Sequence, residues 1–285
     1  MSSRTWTIRE VLDWTTSDFS TRAIATPRLD AELLVAQALG IDRVGLYLDL
    51  DRPLLDDERA EIRALVGRRR DREPVAYILG YRDFYGRRFS VNSSVLIPRP
   101  DTETLIEHAL ACIPEDAPFR VLDVGTGSGA IALTLAAERP LATVTGTDIS
   151  EDSLAIASMN AKQLGLEGRV RLERANLVIE SSEYDLVVSN PPYVTHGEIA
   201  ELEPEVRDYE PALALEAGED GLDVVRALFS AAAGVTSAGA QMLIEVGAGQ
   251  AELVLAIAER SEAWTPVGSY PDLNRIERVV HLRRT

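Results

Sequence analysis

The sequence predicts an α/β fold: a doubly wound, seven-stranded, mostly parallel sheet, preceded by a small N-terminal helical bundle and a hairpin-like connector. Three observations carry that expectation. From residue 120 onward, short β-branched runs alternate with helical patterns, the rhythm of stacked βαβ units. The first of these runs, Val121-Leu122-Asp123-Val124, passes directly into the glycine turn Gly125-Thr126-Gly127-Ser128-Gly129 and then into the apolar helical stretch around Ile131, Leu133 and Leu135. Residues 1–80 lack this alternation, and their apolar positions recur at helical spacing.

In chain order, Thr7 and Glu10 have capping-box spacing around Ile8, Val11 and Leu12. Thr26-Pro27 places proline at a first helical position; Leu29, Leu33 and Ala36 follow, and Gly40 can end that helix. Asp56 opens a third strong helix with Ile62, Leu65 and Val66 on its apolar side. Residues 1–80 therefore read as a helical bundle with no catalytic or metal-site spacing, and substrate recognition is the default role. Aromatic and β-branched residues around Gly86 (Tyr81, Phe84, Tyr85, Phe89, Val91, Val95) suggest a β-hairpin-like connector over 81–97. The prolines of Ile97-Pro98-Arg99-Pro100 then stiffen the chain before Asp101, which is expected to cap a helix. Residues 98–285 hold the sheet, with strands near 120–124, 142–147, 169–173, 184–189 and 240–246 and a final pair near 264–269 and 277–283.

The net charge of −17 is unevenly spread. Residues 1–80 carry 12 Arg against 14 Asp and Glu, a net of 12 − 14 = −2, which leaves 17 − 32 = −15 for residues 81–285. A protein that grips nucleic acid through its phosphates needs a basic surface, so direct nucleic-acid binding is not expected. The one concentrated basic run, Arg68-Arg69-Arg70 with Arg72, lies at the end of a helix, where the dipole and solvation account for it. No apolar run approaches the ~18 residues of a membrane span. Residues 1–7 carry no apolar signal region, and the single cysteine, Cys112, excludes an internal disulfide, so a cytoplasmic setting is expected. His108, His196 and His281 are scattered without ligand spacing, and no metal site is expected.

The glycine loop lets backbone approach a ligand closely, and the helix after it offers free N–H groups. By itself the loop fits NAD as well as S-adenosylmethionine. Asp123 would repel a pyrophosphate and suits a ligand ammonium, with capping of the turn as the lesser alternative. Asp148, placed 19 residues past Gly129, can accept from both hydroxyls of a ribose or can start the helix that follows. Asn176 is placed for a hydrogen bond to an adenine amine and Leu177 for contact with its ring.

The most telling segment is Asn190-Pro191-Pro192-Tyr193. The apolar run Tyr184 to Ser189 reads as a buried strand that the prolines stop, so Asn190 sits at a strand's carboxyl end, where open α/β sheets bind ligands. The lone pair of an amide or exocyclic amine is delocalised, so the nitrogen attacks only if its two hydrogens are held. The Asn190 side-chain oxygen and the Pro191 carbonyl can be the two acceptors, and Tyr193 offers an aromatic face. Alone, the segment could also be an ordinary turn.

Taken in this order, the motifs resemble class I S-adenosylmethionine methyltransferases, and more closely the protein-(glutamine-N5) methyltransferases of peptide-chain release factors. The likeness extends to Glu73 to Gly80, Leu96 to Glu103, Tyr209 to Leu213 and Gly218 to Leu222. It implies methyl transfer to the glutamine of the Gly-Gly-Gln motif in class I release factors, by a monomer. Asn190, Pro191, Pro192 and Tyr193 would hold the substrate amide; Gly125 to Gly129, Asp123, Asp148, Asn176, Leu177 and Asn190 would hold the donor. The family commonly has an acidic residue followed by an aromatic where this chain has Asn176-Leu177. Rival readings are a nucleic-acid N-methyltransferase, a noncatalytic donor-binding protein and a NAD-dependent oxidoreductase.

Overall fold

The computed structural model describes residues 5–179 and 183–285, which fall into two compact units. One unit runs through Gly80 and takes in Glu203–Tyr209; the other comprises Tyr81–Leu202 and Glu210–Thr285.

The first unit is helical: α1 (Ile8–Thr21), α2 (Pro27–Leu39), α3 (Arg43–Leu48), α4 (Asp56–Arg70) and α5 (Val75–Leu79), with α9 (Pro204–Arg207) added from far along the chain. The capping box of α1 forms as its spacing predicts, and Gly40 closes α2 at a left-handed φ of 64°. The Thr26 hydroxyl does not cap α2 and instead donates to Asp30 Oδ1 at 2.7 Å. Ile8, Leu12, Phe19, Leu34, Val35 and Leu46 are fully buried and form the centre of this core.

The basic run is only in part a solvated helix end: Arg68 and Arg70 are exposed in the last turn of α4, Arg69 is not. Arg69 is buried and bonds Asp30 and Glu205, each at 2.8 Å; Arg72 also bonds Glu205, Arg68 bonds Glu73 and Arg70 bonds Asp18. The cluster ties α2, α4 and α9 together through charges that solvate one another. Arg69→Ala leaves Asp30, 6% exposed, without its cation and Glu205 with Arg72 alone, so it is expected to cost about 3–5 kcal/mol. Arg70→Ala removes an exposed pair worth about 1 kcal/mol or less. Thermal melts of the two variants check the contrast, and equal shifts would contradict it.

In the second unit, β1 (Tyr81–Phe84) and β2 (Arg87–Ser90) form the expected hairpin. Its turn residues Tyr85 and Gly86 have φ of 48° and 70°, the mirror-image turn that matches strand twist. After the prolines comes α6 (Thr102–Cys112), which Asp101 does not cap; its carboxylate pairs with Arg278 at 3.3 Å. The sheet is built from β3 (Phe119–Val124), β4 (Ala142–Asp148), β5 (Val170–Arg174), β6 (Tyr184–Ser189), β7 (Thr236–Glu245), β8 (Trp264–Pro271) and β9 (Glu277–Arg284), with flanking helices α7 (Ala130–Glu138), α8 (Glu151–Gln163), α10 (Asp223–Ala233) and α11 (Ala251–Glu259).

Its order is β5-β4-β3-β6-β7-β9-β8. The first five strands in this order run parallel, β9 lies antiparallel to β7, and β8, antiparallel to β9, closes the edge in the direction of the first five. This is the predicted seven-stranded sheet. Its central strands are buried on both faces, with Val121, Leu122, Leu186, Val187 and Val188 at zero exposure. The chain winds outward from β3 to β5 and then returns to lay β6 on the other side of β3. Strand order therefore reverses between β3 and β6, and a crevice must open at their carboxyl ends. Among the described residues, no helix is long and apolar enough to cross a membrane.

Candidate active site

That crevice is a cavity of about 250 Å³, just under the ~300–1,000 Å³ usual for small-molecule sites. Its wall brings together the Gly125 to Ser128 loop, Asp148, Asn176, Leu177 and Asn190 to Pro192, with Arg99 and Thr102 from the start of α6. Three expected members, Asp123, Gly129 and Tyr193, are not on it.

The loop is held by its own backbone, since the N–H groups of Gly125 and Thr126 both donate to Thr147 O at 2.9 Å. Gly125, Gly127 and Gly129 all have left-handed φ, of 73°, 55° and 81°. A β-carbon on Gly125 would meet nothing within 4 Å, and one on Gly127 only the Gly125 carbonyl at 4.0 Å. On Gly129 it would strike Leu133 at 2.9 Å, so the third glycine serves the packing of α7. The sequence reading missed Gly146, where a β-carbon would meet Thr126 Oγ1 at 2.9 Å; a glycine inside a strand signals such a close approach.

Asp148 Oδ2 accepts from Gly127 N and Oδ1 from Ser150 N, each at 2.9 Å. It thus fixes the loop while standing on the cavity wall, and Ser150 rather than Asp148 caps α8. Leu177 sits at φ 76°, and its carbonyl accepts from Thr147 Oγ1 at 2.6 Å.

Asp123 lies beneath the loop at zero exposure. Its Oδ2 accepts from Thr126 Oγ1 at 2.7 Å and from Ala132 N at 3.1 Å, while Oδ1 is buried without a partner. It braces the turn from below and lies off the cavity wall. Burial pushes its carboxyl up to about 7, against the opposing pull of those two bonds.

Asn190 Nδ2 donates to Thr102 Oγ1 at 3.3 Å. Among the described residues no donor reaches Asn190 Oδ1 or the Pro191 carbonyl, so two acceptors on successive residues are unpaired at the end of β6. The Tyr193 ring packs on Gly247, with Cδ2 3.1 Å from where a β-carbon there would lie. The Tyr193 carbonyl accepts from Gln250 Nε2 at 3.0 Å, so this residue shapes the backbone of the turn.

Glu245, at the end of β7, is 3% exposed and raised to about 7 chiefly by burial. Glu210 accepts from Ile97 N and from Arg99, which fastens the proline segment over the cavity.

Asp123 and Glu245 give a sign for pH dependence. Both fold with carboxyl values raised to about 7 from 3.8 and 4.5, so the folded state binds these two protons more tightly than the unfolded chain. Their contribution is complete below pH about 4 and lost as pH rises toward about 7. Asp123→Asn is therefore expected to lose less melting temperature than wild type between pH 5 and pH 8; an equal or greater loss would contradict the assignment.

Residues 10–80 match the PrmC N-terminal domain family and residues 101–203 the methyltransferase small domain family. The chain is 45% identical over 277 residues to the release factor glutamine methyltransferase of Geobacter sulfurreducens, covering 96% of each, and 37% identical over 286 residues to that of Rhodopirellula baltica, covering 98% and 97%. The chain belongs to the release factor glutamine methyltransferase family. It is a methyltransferase, and the donor of this family is S-adenosylmethionine. The fold is shared with a methyltransferase from Pyrococcus furiosus at TM-score 0.52 and 16% identity, over 79% of this chain and 98% of that one.

The residues present fit the donor. The space over Gly125 and Gly127 holds almost no protein atom, a carboxylate stands at Asp148, and apolar Ile131, Ile149 and Leu177 line the wall for a flat ring.

Proposed function

We propose that this chain methylates the side-chain amide nitrogen, N5, of the glutamine in the Gly-Gly-Gln motif of class I release factors. One observation carries the reading: a single cavity holds a glycine loop with open space above it and, at the next strand's end, two unpaired acceptors spaced by one residue. A primary amide presents two N–H donors, and Asn190 Oδ1 with Pro191 O can accept both. Held so, the nitrogen lone pair is aimed into the cavity without a strong base, and the nitrogen sheds one proton to water after gaining its methyl.

The donor, when bound, supplies a methyl carbon already activated by its sulfonium. The backbone of Gly125, Thr126, Gly127, Ser128 and Gly129 approaches it, Asp148 accepts from its ribose, and Asn176 and Leu177 meet the adenine. Asp123 acts through the loop, and Tyr193 through the shape of the Asn190 turn. The N-terminal helices, residues 1–80, serve as the recognition module for the release factor.

Nucleobase amines could use the same two acceptors, but the −15 charge of residues 81–285 opposes a polyanion. The deciding experiment incubates the protein with methyl-labelled S-adenosylmethionine and, separately, a release factor, the same factor with its loop glutamine replaced, duplex DNA and ribosomal RNA. Label is expected on the intact factor alone. Label on either nucleic acid, or on the replaced factor, overturns the reading.

A further inference from the structure

β6 and β7 are parallel neighbours with Ser189 opposite Ile244, so the next residues, Asn190 and Glu245, end adjacent strands side by side. Thr102, the first residue of α6, lies beside both: its hydroxyl oxygen accepts from Asn190 Nδ2 at 3.3 Å, and it is near enough to the Glu245 carboxyl to favour its ionised form. Glu245 Oε2 is buried with no partner of its own, an expensive arrangement for which packing alone gives no reason.

A side-chain amide is nearly symmetric in shape, and turning it over exchanges acceptor for donor. At Asn190 that exchange would set an N–H₂ against the substrate's N–H₂. A threonine hydroxyl has a single proton, and a carboxylate can only accept. We propose that Glu245, acting through Thr102, is a positioning residue that fixes which face of the Asn190 amide meets the substrate. With its proton given to Glu245, the Thr102 oxygen can only accept, so it takes Nδ2 and leaves Oδ1 for the incoming amide. The inference rests on the reading of Asn190 as an acceptor for the substrate.

The groups around Glu245 are Thr102 and Asp101 at the start of α6, Arg99 before it, Arg278 on β9 and Tyr193 after β6. Arg278 is paired with Asp101 and with Asp272. Neutralising Glu245 lets it donate to Thr102, and the direction of the relay is lost, so turnover should fall as pH drops below about 7.

The test compares Thr102→Val, Thr102→Ser and Glu245→Gln in steady-state methylation of a release factor, with calorimetric binding of S-adenosylhomocysteine as the folding control. Thr102→Val and Glu245→Gln are expected to lower kcat about tenfold or more, with product affinity within about twofold of wild type. Thr102→Ser, which keeps the hydroxyl, is expected to restore most of the kcat, and the acid limb of the pH profile should be missing in Glu245→Gln. Thr102→Val should add nothing in an Asn190→Ala background, because its target is gone.

A wild-type kcat in Thr102→Val, or equal losses for serine and valine, overturns the relay. Should Glu245→Gln fail to fold, the valine and serine pair decides. Asn190→Ala with normal turnover would instead mean that the reading of the site is wrong; a dead Asn190→Ala beside a fully active Thr102→Val would refute the relay alone.

Discussion

Asn190→Ala lowers kcat for release-factor methylation about a hundredfold or more while leaving affinity for S-adenosylhomocysteine within about twofold. The loss follows from what an amide nitrogen lacks. Its lone pair is committed to the carbonyl, so rate depends on holding the nitrogen in line with the methyl carbon, and misplacement by about 1 Å costs ~10²-fold. One of the two acceptors is lost outright, and the Pro191 carbonyl alone lets the substrate amide rotate. Product affinity is spared because the Gly125 to Gly129 loop and Asp148 are held by bonds to Thr147, Ser150 and one another. Single-turnover methylation and calorimetric titration separate the two quantities. Near-normal turnover would remove Asn190 from the chemistry; a matching loss of product affinity would make it a scaffold residue.

The parts of the molecule that were legible in the sequence are the local ones. Every sheet strand fell on a segment whose strand pattern was readable, and Gly125 to Ser128, Asp148 and Asn190 to Pro192 reached the cavity because strand–turn–helix geometry delivers them there. β7 begins at Thr236, before its apolar run at 240, because Gly239 at φ 87° and its exposed neighbours interrupt the pattern. The short helices α3 and α5 span too few turns to show a period. Where the reading differed, a distant partner outweighed a local rule. Asp101 pairs with Arg278 and leaves α6 uncapped, and Arg69 takes Asp30 and Glu205 in place of solvent. Tyr193 settles on Gly247, and Asp123 on Thr126 and Ala132, so neither stands on the wall. Thr102 and Glu245 come together only because α6 starts where β7 ends, a convergence that sequence spacing does not encode.

Gly127→Val is expected to weaken donor and product binding about a hundredfold or more, whereas Gly129→Ala is expected to act first on stability. The three loop glycines share a left-handed φ, so any side chain costs about 1–2 kcal/mol of backbone strain at each, and a β-branched one the most. What separates them is the space ahead. At Gly127 a valine side chain meets no packed protein and would stand in the volume the donor needs, while its strain also pulls on the Gly127 N–H held by Asp148. At Gly129 even one methyl collides with Leu133 at 2.9 Å and presses Ala157 at 3.3 Å, so the first loss is the seating of α7 against α8. Overpacking of this kind typically costs about 1–3 kcal/mol. Calorimetric titration with S-adenosylhomocysteine beside thermal melts resolves the pair. Gly127→Val should show a modest melting shift with binding gone, and Gly129→Ala a larger melting shift with binding partly kept. The reverse pattern would mean that the open space over Gly127 is not where the donor lies.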